Sequence, residues 1–171
     1  MSSKPPISAA VSAAFLLFAL HTDSGAQAPP PKPAAPVANP TGWVSPAVLE
    51  KIYGEAETAF TDKQYDTAIT KIKELLKAIG PNKEGMPIEL LYFNIGLAHL
   101  LANKASEAEI AFLECIKIYP RGELTSRCHL GAGRAFMLQD PPEKKQRAIE
   151  ELTLAYQDPK FRAEAGLWLG V

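Results

Sequence analysis

Four side chains stand out for chemistry: Cys115, Cys128, His99 and His129. The two cysteines are the only ones in the chain, and no Cys-x-x-Cys redox spacing exists. Both fall in helix-forming sequence on either side of a turn around Pro120–Gly122. Counting back from that turn sets them at similar height on antiparallel neighbours. Two readings stay open, a disulfide between neighbouring helices or two buried thiols acting as small core residues. The histidines fall on separate helices, with no Cys, Asp or Glu at ligand spacing. They read as core or groove side chains, and no metal site is expected.

Other catalytic chemistry is hard to place. Glu107, Glu109 and Glu114 recur at helical intervals and read as a solvated face, not as an acid–base pair. No serine belongs to a recognisable histidine–acid motif, and no phosphate-cradling glycine loop is visible. Gly131 and Gly133 in "HLGAGRA" look like part of a dinucleotide fingerprint. They follow helical rather than strand sequence, so that reading fails. Neither an enzyme nor a cofactor is expected.

The whole chain narrows the classes further. It has 171 residues, with 18 Lys plus Arg against 19 Asp plus Glu. A net charge of -1 lacks the basic excess of a general nucleic-acid binder. Residues 1–26 read as a secretory signal. Lys4 precedes the apolar run "ISAAVSAAFLLFAL", and Ser24 and Ala26 stand at cleavage-site spacing before Gln27. The run is short of the roughly 20 residues of a membrane span. The expected mature protein is therefore exported, periplasmic or extracellular, with no membrane span. Residues 27–44 are rich in Pro and Ala and are expected to form an extended spacer.

From Ser45 the apolar pattern takes the helical period, and no window alternates like a strand. Ser45-Pro46 supplies a capping serine and a proline at the first helical position. Helices are predicted over about 46–61, 64–79, 87–102, 105–118, 123–139 and 144–157, with a seventh in "KFRAEAGLWLGV". Short turns pair them into hairpins. Gly96 and Ala108 are small where two such helices must approach closely, and are expected to face each other.

Tyr92, Ile95-Gly96, Ala108, Phe112 and Pro120 together resemble the tetratricopeptide repeat, with His99 in place of an aromatic. "YDTAI" around Tyr65 and Ala68 resembles the start of that family's second helix. Gly133, Ala135, Phe136 and Ala148 continue the pattern, with about three extra residues in "QDPPEKKQ". The resemblance implies an all-α, right-handed helical-hairpin solenoid over 45–171. Its repeats span about 48–82, 89–122 and 126–160, with a partial fourth at 161–171.

In that family the first helices of the repeats line a concave peptide groove. Projected onto this sequence, the groove receives Tyr53, Glu57 and Phe60, then Leu90, Phe93, Leu97 and Leu101, then Arg127, Leu130, Arg134 and Met137. Members that grip a peptide C-terminus use Lys and Asn at groove sites. Here Asn94 is the only near echo. The implied function is a non-catalytic scaffold for a protein or peptide partner in the bacterial periplasm or cell envelope. The alternative is a regulatory or substrate-presenting module of a larger exported enzyme or assembly machine. The apolar "GLWLGV" end lacks an evident stop signal. Either the seventh helix is a short apolar cap or the chain is the N-terminal piece of a longer repeat protein, the favoured reading, and the same apolar end offers a surface for self-association.

Overall fold

The computed structural model describes residues 44–80, 86–139 and 142–171. The predicted leader, most of the proline-rich spacer and the two cleavage-site residues lie outside them. Seven helices and no strand occur among the described residues. They are α1 (Pro46–Thr61), α2 (Tyr65–Ile79), α3 (Ile88–Leu101), α4 (Ala105–Ile118), α5 (Thr125–Met137), α6 (Pro142–Gln157) and α7 (Arg162–Leu169). Each helix packs on the next in the chain, and α3 also touches α5. This is the pattern of a helical repeat, in which hairpins stack along one direction.

Local chemistry explains the ends. Ser45 takes the extended N-cap conformation before Pro46, although its hydroxyl makes no capping hydrogen bond. The turns closing the first two hairpins are copies of each other. Lys63 and Asn103 both adopt the left-handed conformation, with φ of 59° and 57°. The following amides, of Gln64 and Lys104, donate to the carbonyls of Ala59 and His99 at 2.8 and 2.9 Å. Asparagine tolerates that conformation better than most residues, and lysine gains nothing from it.

The core repeats with the same regularity. Ala68, Ala108 and Ala148 recur at 40-residue intervals, and each is fully buried. Ile72, Phe112 and Leu152 follow at the same interval and fill the space beside them. For Phe112 and Leu152 the partners on the preceding helices are glycines, Gly96 and Gly133. A Cβ on Gly96 would stand 2.7 Å from the Phe112 ring, and one on Gly133 would stand 2.6 Å from Leu152. Gly96 makes room for the Phe112 ring, which lies one turn beyond Ala108 on α4. Gly131 is a second notch for the same ring, 2.5 Å from it by the same measure. The ring of Phe112 is thus gripped between α3 and α5.

One carboxylate departs from the solvated-face reading. Glu109 is buried, and its carboxylate accepts from Lys144 Nζ at 2.5 Å and Gln139 Nε2 at 2.9 Å. It ties α4 to the start of α6. Burial pushes its pKa up, and the hydrogen bonds from Lys144 and Gln139 overcome that to hold it below the ordinary glutamate value.

Three outcomes are expected. Phe112→Ala should cost about 3–5 kcal/mol in urea unfolding, and Gly131→Ala about 1–3 kcal/mol by crowding the same ring. A lowered folded pKa makes the Glu109 contribution present above the ordinary glutamate range and lost as pH falls through the lowered value. Glu109→Gln should therefore flatten the acid side of the stability–pH curve, measured by thermal melts across acid pH.

Candidate functional site

Two arginines of α5 meet aromatic side chains of α3 and of the α7 region. Arg127 and Arg134 lie two turns apart on α5, so they point the same way. Phe161 and Trp168 have the same spacing at the start and end of α7. The two pairs meet. The Arg127 guanidinium carbon sits 5.6 Å from the Phe93 ring centre and 5.3 Å from that of Phe161. Arg134 sits 5.5 Å from the Trp168 ring, and its Nη1 pairs with Glu164 Oε1 at 3.2 Å. These are cation–π contacts that also fix the planes of the guanidinium groups.

Neither arginine is fully satisfied. Nη1 of Arg127 and Nε of Arg134 are buried and make no hydrogen bond within the described residues. Burial pulls the Arg127 pKa down, and the charge of Glu164 partly restores it. These two nitrogens are enclosed, so an incoming carboxylate would meet the accessible part of the half-buried Arg127 guanidinium.

The other proposed groove residues separate into two groups. Tyr53, Phe60, Leu90, Phe93 and Leu130 are buried. They fill the space between helices and are not open groove surface, which corrects their assignment from helical projection. Glu57 and Leu97 are half-buried, whereas Leu101 and Met137 are exposed at 45% and 38%. Parallel helices α3 and α5 bring those two apolar side chains to the same end of the face. Arg127 stands toward the other end, where it meets Phe93, whereas Arg134 lies in the last turn of α5, close to Met137.

Asn94 is the most enclosed polar side chain of the face. It has no exposed surface, and neither end of its amide makes a hydrogen bond within the described residues. His99 is half-buried with an unpartnered Nδ1, and its pKa is lowered by burial and then by Lys73. His129 pairs with Glu151 Oε2 at 2.6 Å and joins α5 to α6. No group of three or more His, Cys, Asp or Glu is placed to hold a metal among the described residues.

The cysteines do meet. Cys115 on α4 and Cys128 on α5 are both buried free thiols with Sγ atoms 3.0 Å apart. At the chain end, Leu167 and Val171 are exposed at 80% and 86%. A stop signal is present there after all: Gly170 takes the left-handed conformation and closes α7 on the Gly166 carbonyl.

Helical projection missed three residues of the site: Phe161, Glu164 and Trp168. Their signal was available, since the seven-residue interval from Phe161 to Trp168 matches that from Arg127 to Arg134. Glu89 was missed too. Its carboxylate accepts from the amides of Leu124 at 2.8 Å and Glu123 at 3.1 Å, capping α5 from another helix.

Asn94→Leu should raise stability by about 1–2 kcal/mol, because it removes a buried amide with no partner. Urea unfolding measures it; a loss of stability would show that the amide is satisfied in solution. Comparison of the chain with protein-family models, with curated proteins and with solved structures finds no significant match in any of the three.

Proposed function

We propose that this chain is a non-catalytic protein-interaction scaffold of the tetratricopeptide class. Its ligand is a segment of a partner protein laid across α3 and α5. One observation carries the reading. Helical projection sets exposed Leu101 and Met137 on one face with half-buried Arg127, whose Nη1 has no hydrogen-bond partner among the described residues. Such a face suits an amphipathic segment, with apolar side chains on the leucine end and a carboxylate directed to the guanidinium.

The repeat class is supported by the recurring turns at Lys63 and Asn103 and by the small-residue notches that receive Phe112 and Leu152. The 40-residue interval is longer than the family's roughly 34. Export to a bacterial periplasm or cell envelope is read from the leader-like run Ile7–Leu20 and the small residues before Gln27. Among the described residues, no helix is long and apolar enough to cross a membrane.

Buried Phe93 is unsuitable for testing the face, because its loss would disturb the core. Exposed Leu101 and half-buried Arg127 serve instead. On an array of amphipathic peptides with and without acidic residues, the wild-type chain should select acidic members. Leu101→Asp and Arg127→Gln should each weaken binding by about tenfold or more with helicity unchanged by circular dichroism. Undiminished binding by both variants rules out this face.

A further inference from the structure

The buried thiols of Cys115 and Cys128 belong to no part of the proposed binding face. Their Sγ atoms lie 3.0 Å apart, across the packed surfaces of α4 and α5. Bond formation needs them to close by about 1 Å, to the usual sulfur–sulfur distance near 2.05 Å. No other cysteine competes in the chain. Cys115 is 1% exposed and Cys128 has no exposed surface. An oxidant therefore has no route to either sulfur while the two helices remain packed.

We propose that Cys115 and Cys128 form a disulfide site that is oxidised during folding or local opening, and is sealed once α4 and α5 pack. The co-reactant is a disulfide, either small and organic or carried by a protein. One cysteine thiolate attacks a sulfur of the oxidant, forming a mixed disulfide and releasing one thiol. The second cysteine thiolate then attacks the protein sulfur of that mixed disulfide and releases the other thiol. The protein gives up two electrons and two protons, and the oxidant becomes two thiols.

The closed fold resists both steps. The hydrogen bond to Cys115, and then burial, push the Cys128 thiol far above its ordinary pKa. The thiolate that must attack is therefore scarce until the helices part. Reduction of the finished bond is blocked by the same burial. The result is a permanent staple between the second and third hairpins rather than a switch that responds to changing redox conditions. It does not depend on what the α3–α5 face binds.

The full chain, purified reduced, is incubated with glutathione disulfide with and without sub-denaturing urea. Remaining thiols are alkylated after unfolding and the products are weighed. The expected product is two hydrogens lighter and yields a linked Cys115–Cys128 peptide. Its formation should accelerate by about tenfold or more in urea, as opening becomes frequent. The link closes a short loop of the chain, so the folding equilibrium should rise on the order of a hundredfold. Two alkylated thiols at equilibrium, arrest as a glutathione adduct, or a linked protein less stable than the reduced one would each overturn the site. A rate unchanged by urea would overturn the requirement for opening.

Discussion

The Phe112 ring sets the spacing of the central helices. It is buried against two glycines on two different helices, Gly96 on α3 and Gly131 on α5. At either position a methyl group would stand within the ring's van der Waals envelope. One side chain on α4 therefore sets how closely α4 approaches both neighbours. The effect reaches the surface through a chain of contacts. The Phe93 ring lies 5.8 Å from that of Phe112, and Arg127 lies over Phe93. A shift in the core would move the guanidinium on the face.

Helix positions were legible because their signals are local. Proline at the start of α1, glycine after α2 and the apolar period between them need no knowledge of neighbours. The small residues at Gly96 and Ala108 announced close packing, and the large Phe112 one turn beyond Ala108 was the residue to fill it. The face was less legible. A helical projection finds which residues point together, but not whether another helix covers them. Tyr53, Phe60, Leu90, Phe93 and Leu130 are covered by neighbours. Glu109 was misread for the same reason, since its partner Lys144 lies 35 residues away in sequence.

The arginines illustrate how such a face is prepared. Aromatic rings on α3 and α7 hold Arg127 between them, while Trp168 and Glu164 hold Arg134. Side chains held in this way have already given up much of the rotamer freedom that binding would otherwise cost. Arg134 has already found its carboxylate within the chain, whereas Arg127 is held by rings alone. The two guanidinium groups are therefore unequal despite their equal spacing, and the less satisfied one adjoins the core.

Glu89 bears on how the array is built. Leu124 occupies the N-cap of α5 and makes no side-chain capping hydrogen bond, and the amides leading into that helix, of Glu123 and Leu124, take their acceptor from Glu89 of α3. The entry to α5 is thus held from two helices earlier, across the whole of α4. Glu89 thereby belongs to two helices at once, to the first turn of its own and to the entry of another.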